Sequence, residues 1–512
     1  MTPTPQNVSR RAILGGLGGA AVVAAIPGTA SGAPTSPANP IASTAAFAEL
    51  PAPTGLGLPR DGASLYLPDE AYPHFPMPNG SHAYAHLDGR AMKKVVDQIT
   101  GFSRQARDAG VQNWGRIPGT PYERMTLDWV LHQFQRIGLH DAHQQDVSVQ
   151  PLWFAHSWQA ECLLGTNSVP LHTTFPIDGT VGTSPDGVTA DAMWVGLGTT
   201  ADFAGRDVAG KAVFIYSILT PGGRSHSADR GAIDRANAAG AAMVFVVMGM
   251  PGNAVFQPMG GGGTVAPTFT ISPDEGNGIG DILGSGQQVR IRLTADIGTS
   301  EALRTNVWGT LPGRTDEEIL VMAHTDAIFE GALDNAAGLT MMLEIAKHYA
   351  GLPKAKRRRR MTFLTTPDHH HGAYGVHWVR DNHDFTNTAL IINSEHPSQT
   401  LLYLLDDGIM TSNAISARRW FAGGSEALQQ LVYTSLRDYG VSVYAQPEER
   451  PGGELSSLYQ KAPSFHIIDH VIYHSTLDTA ALVPAWGLEN ATAAFLRIID
   501  TANGWDIGRL RA

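Results

Sequence analysis

One stretch of the chain, Glu318–Tyr349, constrains the fold more than any other. Its first half is a short apolar run, Ile319–Ala323, that stops at His324. Its second half follows Asp334 and repeats apolar residues at the spacing of an amphipathic helix. The stretch therefore predicts an α/β fold in which a buried strand ends at a histidine and a helix begins beside a carboxylate. Because ligands bind at that edge of open α/β sheets, His324 and Asp334 are candidate ligands of a divalent metal.

The motif H-T-D at 324–326, followed by G-A-L-D-N-A-A-G at 331–338, resembles the M28 family of zinc-dependent peptidases. The resemblance implies a mixed, mostly parallel sheet flanked by helices, which is the zinc-exopeptidase-like (phosphorylase/hydrolase-like) architecture. It also implies that His324 is a terminal zinc ligand, that Asp334 bridges two ions, and that Asp326 orients the site from behind. The alternative is a polar pair that only satisfies the end of a strand.

A second motif follows the next predicted strand and departs from the family pattern. It reads T-T-P-D-H-H-H-G-A-Y-G over residues 365–375. Family members usually carry two adjacent glutamates here, of which the first is the general base and the second binds zinc. His369 and His370 occupy those positions, so the resemblance makes His370 a ligand and favours His369 as the base, with Asp368 as the other candidate. The alternatives are an inactive site and an exposed histidine tract without a catalytic role.

Two further ligands are implied beside the ends of later predicted strands. After the apolar run 389–393, Glu395 stands where the family has a zinc-binding aspartate, and His396 is a candidate substitute. The sequence Y-H-S-T-L-D-T at 473–479 keeps the closing pattern of the family except for its serine, which makes His474 a ligand.

The resemblance divides the predicted ligands between two zinc ions. Asp334 bridges the ions, His324 and Glu395 bind one of them, and His370 and His474 bind the other. Two such ions polarise a carbonyl and acidify water, so the resemblance implies amide hydrolysis without a covalent intermediate.

Composition limits the kinds of site that the chain can build. The 512 residues carry a net charge of −11, which argues against a general nucleic-acid binder. Cys162 is the only cysteine, so an intrachain disulfide and a cysteine-based zinc site are excluded. It lies outside the motifs, and the chain has no G-x-S-x-G sequence, so a cysteine or serine nucleophile has little support. The basic run K-A-K-R-R-R-R at 354–360 predicts a solvated loop, and the alternative is a patch that binds an anionic partner.

The order of these patterns predicts four parts of the chain. Residues 1–33 contain S-R-R-A-I-L before a weakly apolar stretch, which is typical of a twin-arginine signal peptide of a secreted or cell-envelope bacterial protein. Residues 34–85 are a Pro/Ala/Gly-rich arm. Residues 86–150 and 300–512 carry the motifs of an M28-like catalytic domain. Residues 151–299, with glycine turns and short β-rich runs, resemble an inserted protease-associated (PA) domain.

Three functions are compatible with these patterns. The favoured function is a metal-dependent hydrolase of peptide or small amide bonds with zinc as cofactor. Aminopeptidase is the commonest bacterial activity of the family, and it applies to this chain only by analogy. The second keeps the metal site for another reaction on a small molecule, with a metal such as copper, iron or nickel that imidazole also binds. The third is a non-catalytic binding protein with the same fold.

Overall fold

The computed structural model describes residues 78, 81–220, 224–225, 231–250, 253–258, 263–405, 408–468 and 472–511. The predicted signal peptide and most of the predicted arm lie outside these residues. Within the described ranges, each helix is either too short or not apolar enough to span a lipid bilayer.

The described ranges contain both strands and helices. The strands are β1 (Gly115–Arg116), β2 (His140–Leu164), β3 (Asn167–Leu171), β4 (Phe175–Pro176), β5 (Val188–Trp194), β6 (Ala212–Ser217), β7 (Leu219–Thr220), β8 (Arg224–Ser225), β9 (Met243–Met248), β10 (Thr268–Ile271), β11 (Arg290–Leu311), β12 (Glu318–His324), β13 (Ala327–Ile328), β14 (Arg360–Thr366), β15 (Thr388–Asn393), β16 (Thr400–Leu405), β17 (Gly408–Ile415), β18 (Arg419–Gly423) and β19 (Ser464–Ile468). The helices are α1 (Gly89–Asp108), α2 (Pro121–Ile137), α3 (Thr200–Phe203), α4 (Gly231–Ala238), α5 (Pro273–Gly284), α6 (Gly338–Ala350), α7 (Tyr374–Asn382), α8 (Glu426–Asp438), α9 (Ala485–Asn503) and α10 (Ile507–Arg511).

Most strands join one mixed sheet in the order β18-β19-β15-β12-β14-β11-β5-β6-β9-β10-β4, with β2 beside β11 and β3 beside β2. The strands β19, β15, β12 and β14 are parallel neighbours in this sheet. Ile319, Val321 and Ala323 of β12 pack into a core with α1, α2, α6 and α9, whereas Leu320 and Met322 pack on the other face, against α7. Burial on both faces explains why β12 is a nearly continuous apolar run. The predicted α/β fold class is confirmed.

The predicted insertion shares its sheet with the rest of the molecule. β2 and β11 are antiparallel from the Arg290–Leu163 pair to the Thr310–His140 pair, and both strands cross the predicted boundaries at 150/151 and 299/300. Beyond them, β5, β6, β9 and β10 are parallel and surround a core that contains Phe214, Phe245 and Phe269. The segment therefore has its own core, and its resemblance to a PA domain stays a prediction.

The basic run at 354–360 is only partly exposed, so the prediction of a solvated loop is wrong for two of its arginines. Arg359 is fully buried and donates to a carboxylate oxygen of Glu317 at 2.8 Å and to the carbonyls of Ala502 at 3.0 Å and Trp505 at 2.6 Å. Arg357 is also buried and donates to the carbonyl of Tyr349 at 2.9 Å. Arg359 thus attaches the end of α9 to the sheet, and Arg357 binds the end of α6.

Candidate metal centre

The carboxyl ends of four parallel strands bring the predicted ligands together. β12 ends in His324, and the loops after β14, β15 and β19 carry His370, Glu395 and His474. Asp334 lies in the turn just before α6, where its φ of −110° and ψ of 82° interrupt the helical geometry. Parallel strands end at the same edge of a sheet, so residues far apart in sequence meet there. All five side chains are buried.

The carboxylate of Asp334 is the centre of this cluster. Its Oδ1 atom lies 3.1 Å from Nε2 of His324, and Oε1 of Glu395 lies 3.7 Å from the same nitrogen. Its Oδ2 atom lies 3.2 Å from Nε2 of His370 and 3.1 Å from Nε2 of His474. The structure therefore places the predicted set on the two sides of one carboxylate, and the role of these residues as ligands stays a prediction.

His396 joins the same cluster beside Glu395. Its Nε2 atom lies 3.1 Å from Oδ1 of Asp334 and 3.9 Å from Oε1 of Glu395. The backbone of His396 has a φ of 45°, and the buried guanidinium of Arg418 donates to its carbonyl at 2.9 Å. His396 and Glu395 are therefore both within reach of the Oδ1 side, and the candidate substitute joins Glu395 without replacing it.

Hydrogen-bond acceptors behind three imidazole rings determine how the rings face the central carboxylate. Nδ1 of His324 lies 3.1 Å from the carbonyl of Asp326, and Nδ1 of His474 lies 3.2 Å from the carbonyl of Gln257. Nδ1 of His370 lies 3.1 Å from a carboxylate oxygen of Asp326. Because the two carbonyl oxygens only accept, Nδ1 of His324 and of His474 carries a hydrogen, and in the neutral ring the lone pair of Nε2 faces another acceptor. Such a contact is favourable only with a cation or an additional proton between the two atoms.

The donor set fits zinc, which binds imidazole nitrogen and carboxylate oxygen in proteins. Among the described residues, ligand atoms within 4.8 Å of one another occur in three groups: His324 with His369 and His370; Asp334 with His370 and His474; and His324 with Asp334 and Glu395. Burial lowers the pKa of His370, but the charges of Asp334 and Asp326 outweigh burial and raise that pKa to about 9. The site therefore attracts positive charge, and metal ions compete with protons for it.

Asp326 supports the site from behind, where the resemblance places an orienting carboxylate. Its two oxygens accept hydrogen bonds from the backbone N–H groups of His369 and His370, each at 2.9 Å. They also lie 3.1 Å from Nδ1 of His370 and 3.3 Å from Nδ1 of His324. One carboxylate thus fixes two imidazoles and the loop after β14.

The two candidate bases have different surroundings. His369 lines the cleft, with Nε2 3.9 Å from Oε1 of Glu395, and burial together with the neighbouring His324 and His370 lowers its pKa to about 3. Asp368 is fully buried, and among the described residues it is not part of the cleft wall. Its carboxylate accepts from Nε of Arg304 at 2.8 Å and from the first two N–H groups of α7 at 3.0 Å. This geometry gives Asp368 the position of a helix cap rather than of a base.

Glu454 is a cleft residue that sequence reasoning did not select. Its side chain is 1% exposed and forms part of the wall of a cleft of about 280 Å³. One oxygen accepts from the hydroxyl of Thr366, and the other has no hydrogen-bond partner among the described residues. Burial raises its pKa to about 8. Gly453 lies so close to Glu395 that a Cβ atom would be 2.4 Å from Oε2, which explains the glycine.

Two buried charges fix the loop between β12 and α6. The guanidinium of Arg116 donates to three backbone carbonyls within 325–331 at 2.9 to 3.1 Å. The carboxylate of Asp478 accepts from the backbone N–H groups of Leu333 at 2.8 Å and Asp334 at 3.1 Å. Sequence reasoning noted Asp478 only as part of the closing motif, and it missed Arg116, which carries no local signal of this role.

Solved structures with the same fold include three bacterial proteins. A peptidase M28 precursor from Shewanella amazonensis SB2B has 18% identity and a TM-score of 0.62, over 83% of this chain and 99% of that chain. BSAP, a zinc aminopeptidase from Bacillus subtilis, has 16% identity and a TM-score of 0.58 over 83% and 98%. An aminopeptidase from Aneurinibacillus sp. strain AM-1 has 20% identity and a TM-score of 0.53 over 83% and 96%. At these identities the likeness shows a shared fold.

No curated protein matches the sequence significantly. The family model described as Peptidase family M28 matches residues 306–494. This segment carries β12, β14, β15 and β19, and it includes every residue of the cluster around Asp334. This segment of the chain therefore matches peptidase family M28.

Proposed function

We propose that the protein is a zinc-dependent aminopeptidase that removes residues from the amino end of peptides. The observation that carries the proposal is the orientation of the buried imidazoles, whose Nε2 atoms point at both oxygens of Asp334 from 3.1 to 3.2 Å. The match of residues 306–494 to a peptidase family supports peptide hydrolysis, and two aminopeptidases among the proteins with this fold support the more specific activity.

The cluster has enough ligands to hold two ions. His324, Glu395 and His396 would hold one ion on the Oδ1 side of Asp334. His370 and His474 would hold the other on the Oδ2 side. When bound, zinc polarises a carbonyl and lowers the pKa of water, which is the chemistry that amide hydrolysis requires.

Proton transfer then needs a group in the cleft wall that can accept and return a proton. His369 occupies the position of the usual family base, and its imidazole lies within the cleft. Its low pKa makes it a weak base, so the free oxygen of Glu454 is the second group that can hold the proton. In our proposal His369 is the first group to accept the proton from the attacking water. Glu454 supplies one carboxylate to a site in which histidines replace the two glutamates of the family pattern.

The size of the cleft supports action at a chain end. Its volume of about 280 Å³ is near the lower end of the range for small-molecule sites. Ile468 and Tyr473 contribute apolar surface to its wall, and Arg419 contributes a charge. A space of this size accommodates a terminal residue more readily than an extended polypeptide.

The test is hydrolysis by the zinc-loaded protein. Aminoacyl p-nitroanilides and short peptides with a free amino end should be cleaved, and the same peptides with an acetylated amino end should not. Asp334→Asn should lose both activity and zinc. If the zinc-loaded wild type cleaves none of these substrates, the binding-protein hypothesis is favoured instead. Activity that appears only with copper, iron or nickel would favour a different reaction at the same site.

Loss of proton transfer is tested separately from loss of metal. His369→Gln and Glu454→Gln should each lower kcat while zinc content stays at the wild-type level. A variant that keeps the wild-type kcat excludes its residue from proton transfer.

We further propose that the protein is exported through the twin-arginine route. The sequence S-R-R-A-I-L at 9–14 and the weakly apolar stretch after it support this proposal. Fusion of residues 1–33 to a reporter protein should direct the reporter out of the bacterial cytoplasm, and replacement of Arg10 and Arg11 by lysine should prevent export. Cytoplasmic retention of the unchanged fusion would contradict the proposal.

A further inference from the structure

A short segment of the predicted insertion pairs with the loop that carries His474. The N–H group of Gln257 donates to the carbonyl of His474 at 2.9 Å. Two positions away on each strand, the N–H group of Thr476 donates to the carbonyl of Val255 at 3.0 Å, and the N–H group of Val255 donates to the hydroxyl of Thr476 at 3.1 Å. The residues between them form an antiparallel β-bridge. The contact therefore has the geometry of two paired strands.

The same segment also contacts the imidazole of His474. The carbonyl of Gln257 lies 3.2 Å from Nδ1, and Nε2 of the same ring lies 3.1 Å from Oδ2 of Asp334. Both backbone groups of Gln257 thus bind His474, one through the ring and one through the main chain. The carbonyl keeps the hydrogen on Nδ1, which leaves the lone pair of Nε2 directed at the metal position.

Packing around this contact joins the ligand loop to the core of the insertion. Phe256 is 1% exposed, and its ring lies perpendicular to that of Tyr473 with centroids 6.3 Å apart. Ile472 and Leu477 belong to the same apolar cluster as Phe256 and the strand β9. His474 has a φ of 55°, which costs about 1 kcal/mol or more for a residue with a side chain. The loop therefore keeps a strained conformation that the contact with the insertion stabilises.

We propose that the predicted insertion is part of the metal centre, because the backbone of Gln257 positions the imidazole of His474 for binding. Gln257 is a positioning residue, and zinc affinity on the Oδ2 side of Asp334 depends on the contact between the two predicted domains. This inference rests on the proposed function, in which His474 is a zinc ligand.

Two variants at one position test the backbone contact in the full-length protein. Gln257→Pro removes the N–H group that binds His474, whereas Gln257→Ala removes only the side chain and is the matched control. Zinc affinity is measured by competition with a chromophoric chelator, and His474→Gln gives the effect of complete loss of the ligand. We expect Gln257→Pro to weaken one of two zinc sites about 10-fold or more. Gln257→Ala should stay within about twofold of the wild type.

A second pair of variants applies if Gln257→Pro does not fold. Thr476→Val removes the hydroxyl that accepts from Val255 and keeps the shape of the side chain. Thr310→Val is its control, because the Thr310 hydroxyl binds the carbonyl of His140 on β2, outside this contact. We expect Thr476→Val to weaken the same zinc site by at least threefold and Thr310→Val to leave both sites unchanged.

The outcomes distinguish this inference from the proposed function. Two zinc sites of wild-type affinity in a folded Gln257→Pro variant would overturn the inference alone, as would equal losses in Gln257→Pro and Gln257→Ala. If Gln257→Pro does not fold, wild-type affinity in Thr476→Val would overturn it. Failure of the wild type to bind zinc would overturn the proposed function and the inference with it.

Discussion

Replacement of Asp326 by asparagine is expected to weaken zinc binding although Asp326 is not a predicted ligand. Its carboxylate is fully buried, and its two oxygens accept from the N–H groups of His369 and His370 at 2.9 Å. The same oxygens face Nδ1 of His370 and His324. Asparagine keeps the size of the side chain, but its amide nitrogen cannot accept a hydrogen bond. In the variant, the amide nitrogen of the asparagine, which is itself a donor, faces N–H donors that the carboxylate oxygen accepted from.

The magnitude follows from the bonds that are lost. One charge-assisted hydrogen bond contributes about 1.5–3 kcal/mol, and a buried N–H group without a partner costs about 1–3 kcal/mol. The free energy of unfolding of the metal-free protein should therefore fall by about 2.5–6 kcal/mol. Zinc affinity should fall by about 10- to 100-fold, as is usual when a partner of a metal-binding imidazole is replaced.

Urea unfolding of the metal-free protein and zinc competition with a chelator measure the two effects. Asp281→Asn, on the exposed side of α5, is the control for the chemical change and should alter neither quantity. Zinc affinity of Asp326→Asn within twofold of the wild type would refute the role of Asp326 in orienting the imidazoles.

Three other results are expected. Removal of zinc by a chelator should abolish activity. In denaturant titrations, zinc at 1,000 times its Kd should raise the free energy of unfolding by about 4 kcal/mol, whereas magnesium, the control, should not change it. Arg359→Met should lower the free energy of unfolding by about 3 kcal/mol or more, because buried acceptors lose their donor, and it should keep kcat per folded molecule. Arg358 is more exposed, so Arg358→Met should change the free energy of unfolding by less than about 1 kcal/mol. Equal effects of the two substitutions would contradict the role of Arg359. Because burial raises the pKa of Glu454 from 4.5 to about 8, the folded metal-free protein keeps a proton that the unfolded chain releases, so stability should decrease as pH rises from about 4.5 to about 8. Glu454→Gln should reduce this slope in unfolding curves across pH, and an unchanged slope would exclude the titration of Glu454 as its cause.

The fold was predictable because its main elements have local sequence signals. The apolar run before His324 corresponds to β12, and the helical spacing after Asp334 corresponds to α6, which begins at Gly338. The position of the cluster followed from parallel strands that end at one edge of the sheet. The identity of Glu395 and His474 as candidates came from the family resemblance, because neither residue has a local signal of metal binding.

The unpredicted residues act through contacts between distant parts of the chain. Arg116 and Arg359 are charged residues that a sequence places on the surface by default, and the structure buries them against backbone carbonyls. Gln257 contributes its backbone, which no side-chain pattern reveals. The unpaired oxygen of Glu454 becomes visible only when the surrounding strands are in place.

The long strand β11 has a kinetic consequence for the proposed enzyme. It pairs with β14 at one end, with β5 at the other, and with β2 along nearly its entire length. Rotation of the two halves of the molecule about a hinge would have to break many of these backbone hydrogen bonds at once. Substrate association should therefore occur in one kinetic phase, at a rate that increases linearly with substrate concentration, without a slow domain-closure step before hydrolysis.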